Sequence, residues 1–468
     1  MSEFYRQNST DPTPEKWRSV LLGEIATINP RGIGDIGNDC LVSFIPMKCV
    51  EEESGRFESL GDRRFKEVRK GYTSFLNGDV IFAKVTPCME NGKAAVLNGL
   101  TNGIGFGSTE FFTIRPSNQI AAQYLLHFIL QKRFREQAAQ NMTGAVGLRR
   151  VPKAYLEQQS IPLPPLPEQR RIVAEIEKQF TRLEAGVAAL KRVQANLKRY
   201  RASVLKAACE GRLVPTEAEI ARQEGRAYES GSALLARILS ERRKNWQGRG
   251  KYKEPAAPET ESLGAPPKGW AWASVEQVGV VQLGRQRAPQ HHSGDFMRPY
   301  LRVANVFEDR IDVTDVKEMN FNPTEFEQFK LFPNDILLNE GQSLDLVGRP
   351  AIYRDEMPGA CFTNTLVRFR SCLLLDVKFS LSVFRANLHS GKFQKIAKWT
   401  TNIAHLGADR FAKLEFPLPP LAEQTRIVAE VERRLSVIEG IEATVEANLK
   451  RAARLRQSIL QKAFSGGL

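Results

Sequence analysis

Few stretches of this sequence have the residue types and spacing that enzyme chemistry needs. Gly32-Ile-Gly-Asp-Ile-Gly has the glycine spacing of a dinucleotide-binding loop, which cradles a pyrophosphate only between a strand and the first turn of a helix. Pro30-Arg31 precedes the glycines and Asn38-Asp39 follows them, and neither dipeptide favours such an element. We therefore interpret the stretch as a glycine-rich surface loop.

Other catalytic signatures are weak or missing. The sequence has no G-x-x-x-x-G-K-[S/T] phosphate loop, so we do not expect ATP hydrolysis by this chain. It has no Asp/Asn-Pro-Pro-aromatic run of the kind that amino-methyltransferases use to hold a flipped base, because Asn322-Pro323 lacks the second proline. Asp335 and Glu340 could form a nuclease pair, but the surrounding PNDILLNEGQSLDLVGR favours a turn followed by a strand.

Cysteine and histidine spacing argues against a metal site. The six cysteines contain no Cys-x-x-Cys pair and no regular spacing, which also argues against a disulfide framework. His291 and His292 are neighbours, and successive residues of an extended chain point to opposite faces. The sequence thus predicts reduced thiols, no metal and no cofactor held by this chain.

Residues that can bind nucleic acid are more numerous. Lysine plus arginine exceed aspartate plus glutamate by 67 − 53 = 14, a surplus that favours nucleic acid first and an anionic membrane second. Arginine and lysine can hold phosphate or guanine, and asparagine or glutamine can pair with adenine in the major groove. The candidates lie in loops flanked by turn residues, where each can also be an ordinary solvated side chain: Lys84, Thr86, Lys93, Arg149, Arg150, Arg285, Arg287, Gln342, Ser343, Arg349 and Asn402.

A long internal repeat must position these loops. PLPPLPEQRRIVAEIE starts at Pro162, and PLPPLAEQTRIVAEVE starts 417 − 162 = 255 residues later with 13 of 16 positions identical. At this offset residues 162–213 align with 417–468 without a gap, and Trp17-Arg-Ser-Val falls on Trp272-Ala-Ser-Val. A two-copy repeat of this size indicates domain duplication, since a solenoid needs several short periods.

The repeated segment has the pattern of a long helix. Its prolines force extended backbone at the start, so a helix can begin only after them. Apolar residues then recur at steps of four and three over about 40 residues, which is the pattern of a coiled-coil seam. A core helix of a globular domain rarely exceeds about 20 residues, so the simplest partner for each seam is the other copy, in an antiparallel pair. The seam residues are Ile176, Phe180, Leu183, Val187, Leu190, Leu197, Val431, Leu435, Ile438, Val445, Leu449 and Leu455.

Pattern and composition together give an architecture. Short β-branched runs, glycine turns and a helical stretch over Gln123 to Gln137 predict an α+β fold for two globular parts. No apolar run approaches the roughly 18 residues of a membrane span, and the N-terminus MSEFYRQNST is polar, which favours a cytoplasmic protein without a membrane partner. The predicted order is a first globular part at 1–161, a helical spacer at 162–213, a short helix and linker at 214–268, a second globular part at 269–416 and a second spacer at 417–468.

These features resemble the specificity subunit of type I restriction-modification enzymes. The resemblance rests on the paired PLPPLPEQRRIVAEIE and PLPPLAEQTRIVAEVE and on the endings SVLKAACEGRL and SILQKAFSGGL. It also rests on the KYKEP linker, the tryptophan-led openings EKWRSV and PPKGWAWASV, and GDVIFAK paired with NDILLNEGQSLDLVGRPAIY. It covers essentially the whole chain.

The resemblance implies two target-recognition domains, each reading one half of a bipartite asymmetric DNA site. They are separated by two long antiparallel coiled-coil helices and related by an approximate twofold axis. It also implies a non-catalytic chain that joins double-stranded DNA, two methyltransferase (modification) subunits and restriction or translocase subunits. S-adenosylmethionine, ATP and Mg would then belong to those partners. In the family the conserved helices contact the modification subunits, which here points to 168–208 and 423–463.

Two other classes of protein remain open on the residues alone. A stand-alone DNA-binding regulator that dimerises through its coils predicts tight binding without partners. An autonomous nuclease or methyltransferase predicts activity from the isolated chain. A specificity subunit predicts co-purification with a methyltransferase.

Overall fold

The computed structural model of the chain describes residues 17–34, 36–145, 147–247, 250–261, 263–400 and 402–468. These residues form two compact units. Unit 1 contains the described residues up to Arg192 together with Val445–Leu468, and unit 2 contains Val193–Thr444. Both boundaries between the units fall inside long helices, so each unit holds the first part of one long helix and the last part of the other.

The globular part of unit 1 is built from short elements. Its strands are β1 (Arg18–Leu21), β2 (Ala26–Ile28), β3 (Leu41–Ile45), β4 (Asp62–Arg64), β5 (Thr73–Leu76), β6 (Val80–Ala83), β7 (Ala94–Val96), β8 (Ile104–Gly107), β9 (Phe111–Pro116) and β10 (Ser160–Leu163). Its helices are α1 (Leu22–Ile25), α2 (Phe65–Val68), α3 (Ala122–Ile129), α4 (Lys132–Gln140) and α5 (Lys153–Glu157). The helix predicted over 123–137 is therefore two helices, α3 and α4, interrupted at Leu130 and Gln131.

Two four-stranded sheets organise unit 1. Their strand orders are β2-β9-β6-β7 and β4-β3-β8-β5, and β3 and β8 are parallel. Strand β6 is buried along its length: Val80 and Phe82 pack in one cluster with α3 and α4, and Ile81 and Ala83 pack in a second with β5. Alternate side chains of a strand point to opposite faces, so β6 joins the two clusters. Strand β1 pairs antiparallel with β10.

Unit 2 has its own set of elements, listed here with the two long helices. The helices are α6 (Leu166–Cys209), α7 (Glu217–Glu224), α8 (Gly231–Lys244), α9 (Val275–Val278), α10 (Pro323–Phe329), α11 (Val377–His389), α12 (Lys392–Ile396), α13 (Ala408–Ala412) and α14 (Leu421–Phe464). The strands are β11 (Ala271–Ser274), β12 (Gly279–Leu283), β13 (Met297–Leu301), β14 (Val306–Phe307), β15 (Arg310–Ile311), β16 (Lys317–Asn320), β17 (Asp335–Asn339), β18 (Gly341–Gln342), β19 (Pro350–Ile352), β20 (Cys361–Phe362), β21 (Leu366–Ser371), β22 (Lys398–Thr400), β23 (Ile403–His405) and β24 (Glu415–Leu418).

The sheets of unit 2 repeat those of unit 1. The order β12-β21-β17-β19 corresponds to β2-β9-β6-β7, and β16-β13-β20 corresponds to β4-β3-β8, including the parallel pair β13 and β20. Strand β11 pairs with β24 as β1 pairs with β10. Unit 2 adds the sheets β18-β23-β22 and β14-β15. Two similar units of mixed helix and sheet confirm the predicted α+β fold with an internal repeat.

The second copy begins two residues from where the ungapped alignment placed it. Arg18 pairs with Leu163 and Ala271 pairs with Leu418, which makes Trp17 equivalent to Trp270. The predicted match of Trp17 with Trp272 is therefore wrong. The shared letters W-x-S-V misled the alignment, because the strand ladder fixes which residues take equivalent buried positions.

The two long helices follow the globular parts as predicted. Helices α6 and α14 contain 44 residues each, which corresponds to about 66 Å of helix. Each begins directly after its Pro-Leu-Pro-Pro stretch. Each also ends shortly before a glycine with positive φ, Gly211 (65°) or Gly466 (80°), a conformation that glycine adopts readily at the end of a helix.

A buried glutamine makes the same contacts at the start of both long helices. Gln169 and Gln424 are completely buried. Gln169 accepts a hydrogen bond from the Ala121 N–H at 2.8 Å and donates one to the Pro164 carbonyl at 2.9 Å. Gln424 accepts in the same way from the Asp376 N–H at 2.9 Å. Each glutamine thus ties the first turn of a long helix to the N-cap residue of α3 or α11.

Within each unit the two long helices run antiparallel. In unit 1, Arg171 of α6 donates to the carbonyl of Leu468 at 3.0 Å, whereas Glu184, further along α6, pairs with the earlier residue Arg456 at 3.3 Å. In unit 2, the last turns of α6 share an apolar cluster with the first turns of α14. Antiparallel pairing of the helices is therefore confirmed.

Most predicted seam residues lie on the packed side of these helices. Leu455 is an exception, because 49% of it is exposed. The next residue, Arg456, takes the inward position with its guanidinium 3.8 Å from the Phe180 ring centre, and its long apolar stem suits such a place. Leu455 is thus corrected to the outer face. The buried seam residues are Ile176, Phe180, Leu197, Val431, Leu435, Ile438 and Val445, and the half-buried ones are Leu183, Val187, Leu190 and Leu449.

The segment after α6 packs onto unit 2. The N–H of Glu217 at the start of α7 and the indole N–H of Trp270 both donate to Glu423 at 2.8 Å. Burial raises the pKa of Glu423. Helix α8 forms within the segment 214–268, for which a short helix and a linker were predicted. The rest of the linker, where described, contains neither helix nor strand, and Gly248, Arg249 and Ser262 lie outside the described residues.

Two sequence predictions fall partly or wholly outside the described residues. The polar N-terminus MSEFYRQNST lies outside them, as does Asp35 of the glycine-rich loop. The described residues 32–34 and 36–37 of that loop form neither strand nor helix. Among the helices of the described ranges, none has the length and apolar character needed to cross a membrane.

Candidate nucleic-acid interface

In unit 1 the loop after β6 lies beside the segment before α5. The Thr86 N–H donates to the Arg149 carbonyl at 3.1 Å, and the Lys84 carbonyl accepts from the Val151 N–H at 2.9 Å. These bonds bring together four of the predicted DNA-binding residues. Lys84, Thr86 and Arg149 make the bonds, and Arg150 lies between Arg149 and Val151. The loop starts where the fully buried strand β6 ends, so the strand fixes the position of its first residue.

Two of the predicted residues in unit 1 are engaged with the protein itself. The guanidinium of Arg150 makes two hydrogen bonds, of 2.7 and 2.8 Å, with the carboxylate of Glu110. The bond from Arg150 lowers the pKa of Glu110, and a bidentate pair of this kind fixes the geometry of both groups. Lys93 Nζ donates to the Met47 carbonyl at 3.3 Å. We therefore infer that Arg150 and Lys93 stabilise the loops that form this surface.

Arg149 is the predicted residue of unit 1 that is most accessible to a partner. Its side chain is exposed and makes no ion pair within the part of the chain that the structure describes. Lys84 is half-buried, with Nζ 5.8 Å from the centre of the Phe112 ring. Thr86 Oγ1 donates to the Arg149 carbonyl at 3.3 Å, which helps to hold Arg149 in place.

In unit 2 the equivalent region is the three-stranded sheet β18-β23-β22. It brings together three predicted residues: Gln342 in β18, Ser343 just after it, and Asn402 in the turn of the β22–β23 hairpin. Ser343 and Asn402 are exposed, and the Gln342 Oε1 accepts from the Ser343 N–H at 3.0 Å. At the base of the sheet His405 Nδ1 lies 2.9 Å from the carboxylate of Glu340.

The three predicted arginines of unit 2 have different surroundings. Arg285 is buried and pairs with Glu325 at 2.7 Å, which makes it part of the core. Arg349 stacks 4.8 Å from the centre of the Phe307 ring, and burial lowers its pKa. Arg287 is exposed. Charge and loop context alone could not separate these three residues, because burial depends on contacts made far along the chain.

The sequence analysis missed three exposed apolar residues beside the predicted polar ones. Trp399 and Ile403 of the β22–β23 hairpin expose 57% and 46% of their surface, and Leu148 of unit 1 exposes 54%. The available signal was the run KWTTNIAH, in which large apolar residues flank a polar turn. Exposed apolar residues of this size commonly mark binding surfaces when they are clustered.

The two regions share one backbone frame. Thr143 pairs with Arg150 in unit 1 and Lys398 pairs with His405 in unit 2, and 398 − 143 = 405 − 150 = 255. A third segment pairs from the other side, Val85 with Arg150 in unit 1 and β18 with β23 in unit 2. The offset of the helical repeat therefore holds in these loops as well.

The acids considered as a nuclease pair have structural partners. Asp335 is buried and makes two hydrogen bonds, of 2.6 and 2.7 Å, with Arg370. Unit 1 repeats this arrangement, with Asp79 bound to Arg115 through two bonds of 2.8 Å. Glu340 binds His405, as described above. A buried carboxylate held by an arginine in both copies supports the fold rather than a reaction.

Each unit also has a groove beside the start of its long helix. The groove of unit 1 lies between α3 and α6 with a volume of about 380 Å³, and the groove of unit 2 lies between α11 and α14 with about 230 Å³. Their walls contain residues that are 255 positions apart, so the two grooves are equivalent. These lining residues are Gln123, Val173 and Glu177 in unit 1 and Lys378, Val428 and Glu432 in unit 2.

Comparison with known proteins agrees with this duplicated architecture. The family described as type I restriction modification DNA specificity domain matches residues 14–191 and 269–451. The duplicated α+β units and antiparallel helices define a DNA-specificity protein of the restriction-modification class, and the chain belongs to this family. It is a specificity subunit of a type I restriction-modification system, and as such it is non-catalytic, because catalysis lies in partner subunits.

Individual relatives match over nearly the whole chain. The EcoAI specificity subunit of Escherichia coli is 26% identical, with 99% of this chain and 85% of the relative covered. The EcoEI specificity subunit of Escherichia coli is 25% identical, with 97% and 83% covered. A chain solved in work on complex assembly and conformational transition of the type I R-M system superposes with a TM-score of 0.67 at 21% identity, covering 97% of this chain and 99% of that one.

Proposed function

We propose that each unit reads one half of a bipartite, asymmetric sequence in double-stranded DNA. Phosphate contacts would set the position of each unit on the duplex, and side chains in the major groove would select the bases. The net charge of +14 supports such binding and predicts a steep dependence on salt concentration.

One observation supports the two-part site above all others. The pairing of residue 143 with residue 150 recurs as the pairing of 398 with 405, yet the described side chains between these ends differ almost completely. A duplicated frame with different side chains is suited to reading two different sequences. Identical side chains would instead suit a palindromic site.

We also propose that the two equivalent grooves dock two methyltransferase (modification) subunits. Both grooves border the segments that the family resemblance assigned to this contact, 168–208 and 423–463. The half-buried Val173 and the buried Val428 take matched positions in the groove walls, and Glu177 and Glu432 place exposed carboxylates at matched positions, with Glu432 paired to Lys378. Restriction or translocase subunits would join the resulting complex in the cytoplasm. S-adenosylmethionine, ATP and Mg would be bound by these partners.

Mapping of methylated adenines tests the proposed function. The chain is expressed with its modification subunits in cells that lack other adenine methylation, and the methylated sites are sequenced. We expect a motif with two specified blocks and a gap of constant length. Cells that express the modification subunits without this chain are the control, and they should show no such motif. A single continuous block in the complete system would contradict the proposal.

The same preparation separates the two alternatives. A stand-alone regulator would bind its site tightly as the purified chain and would not co-purify with modification subunits. An autonomous methyltransferase or nuclease would act on DNA as the isolated chain. We expect the isolated chain to do neither.

A further inference from the structure

The β22–β23 hairpin of unit 2 carries side chains that the fold itself does not use. Strand β22 is one of the two outer strands of its three-stranded sheet, and its residues Lys398, Trp399 and Thr400 are all exposed. Ile403 on β23 is exposed as well. An outer strand with large exposed apolar side chains is a surface that a partner covers, because folded proteins otherwise avoid such edges.

The charge around this hairpin favours a polyanion as that partner. The stretch 390–408 contains three lysines and no aspartate or glutamate. Lys392 is paired with Glu415. Lys395 and Lys398 are exposed and make no ion pair with any residue that the structure describes. Two ammonium groups without an ion pair among the described residues therefore precede the exposed apolar residues in the sequence.

Comparison with the equivalent loop of unit 1 shows which positions differ between the two units and could therefore give them different DNA sequence preferences. The loop of unit 1 and the β22–β23 hairpin have the same pairing at their base, and each base is held by a carboxylate, Glu110 in unit 1 and Glu340 in unit 2. The side chains above the base differ. At the offset of 255 the contrasting pairs are Gly144 with Trp399, Gly147 with Asn402, Leu148 with Ile403 and Arg149 with Ala404.

A two-stranded ribbon of this kind fits the DNA major groove, which is about 12 Å wide. There a carboxamide matches the edge of adenine, and apolar side chains contact the thymine methyl group. We propose that the β22–β23 hairpin enters the major groove and that Trp399, Asn402 and Ile403 select bases of the half-site read by unit 2. This inference rests on the proposed function, since it names the reading residues of one half-site.

Methylation mapping of hairpin variants tests the inference. Trp399→Ala, Asn402→Gly and Ile403→Ala are each made in the full chain and expressed with the modification subunits. We expect one half-site to relax at one or two base pairs, with methylation of sites that carry a wrong base there rising about 10-fold. The other half-site and the gap should stay as in the wild type.

Two matched variants serve as controls. Leu148→Ala changes the unit 1 residue equivalent to Ile403, and it should relax the opposite half-site. Leu373→Ala changes a fully exposed leucine elsewhere in unit 2, and it should alter neither. If all three hairpin variants keep both half-sites of the wild type, the inference is overturned.

If a variant no longer supports methylation, its DNA-binding preference is measured instead. The purified variant complex is tested with duplexes that carry the intact or an altered half-site. A preference reduced about 10-fold supports the inference, and an unchanged preference overturns it. A wild-type map without two blocks would refute the proposed function itself, whereas a two-block map with unaltered variants refutes only the role of the hairpin.

Discussion

His127 is a buried histidine whose ring nitrogens have no hydrogen-bond partner among the described residues. It lies in α3 of unit 1, with its ring centre 5.8 Å from that of Phe180. Burial, together with the smaller effect of the positive charge of Arg456, lowers the pKa of His127 to about 4. The folded chain therefore takes up this proton at a lower pH than the unfolded chain, whose histidines titrate near 6.5.

This difference predicts a pH-dependent stability. As the pH falls from about 6.5 to about 4, His127 binds a proton in the unfolded state but not in the folded state. The contribution of neutral His127 to the unfolding free energy is therefore complete above this pH window and is lost within it. His127→Leu removes this dependence. Relative to the wild type, we expect the unfolding free energy of the variant to rise by about 2 kcal/mol between pH 7 and pH 5, as measured by urea unfolding of the purified chain.

His292→Leu is the matched control, because His292 is exposed. The difference between this variant and the wild type should be the same at both pH values. A difference for His127→Leu that stays constant from pH 7 to pH 5 would refute the argument.

The sequence predicted which residue types occur in the candidate interface, but it did not predict which of those residues are exposed. Arg149 and Arg287 face solvent, whereas Arg285 packs against Glu325 in the interior. All three occur in similar polar, glycine-containing stretches of sequence. What separates them is a partner far along the chain, for example 325 − 285 = 40 residues away for Arg285, which local pattern does not reveal.

At the scale of elements, the start of each long helix is the most closely matched feature of the two units. Gln424 donates to the Pro419 carbonyl at 3.0 Å and accepts from the Asp376 N–H at 2.9 Å. Leaving such buried groups without a partner costs about 1–3 kcal/mol. The presence of a glutamine at this position in both sequence copies therefore has a local physical cause.

This contact predicts the effect of Gln424→Ala. The change leaves the Pro419 carbonyl and the Asp376 N–H without their partner, and we expect the unfolding free energy to fall by about 1–3 kcal/mol. Thermal unfolding of the full chain measures it. Gln461→Ala is the control, since Gln461 is an exposed glutamine of the same helix. Equal melting temperatures for the two variants would show that the buried contact does not stabilise the helix start.

The sequence predicted long elements better than short ones. Prolines before and glycines after α6 and α14 set their ends, and a repeated apolar spacing gave their packed side. The break between α3 and α4 has no proline or glycine at Leu130 or Gln131, so local signals did not reveal it. Strands of two to four residues, such as β18, depend on pairing with distant partners and were equally hard to place.

At the scale of the whole molecule, duplication was the feature that sequence alone established. The offset of 255 residues gave two α+β units and two long helices, and both are present. The division at 161, 213, 268 and 416 stays a prediction, because the compact units divide within the long helices at 192 and 444. Side-chain roles in the recognition loops also stay predictions, since those loops differ between the copies.

We predict that helix length sets the gap in the DNA site. A seven-residue insertion after Arg192 in α6 and another after Thr444 in α14 add two turns to each helix and keep its apolar repeat in phase. Each helix gains about 10 Å, which is about three base pairs at 3.4 Å per base pair. We expect both half-sites to persist with a gap that is longer by about three base pairs, read from methylation maps.

A seven-residue insertion after Gly359, in an exposed turn of unit 2, is the control and should leave the gap unaltered. An unchanged gap after both helices are lengthened would mean that something other than the helices sets the spacing.

The pairing of β1 with β10, and of β11 with β24, has an evolutionary consequence. The first and last strands of each globular part pair with each other, so its two ends lie next to each other, as in domains that tolerate transplantation. A globular part can therefore be exchanged as a cassette between related chains without displacing the helix it precedes. Recombination at the repeated PLPPL segments would then join globular parts from different parent chains.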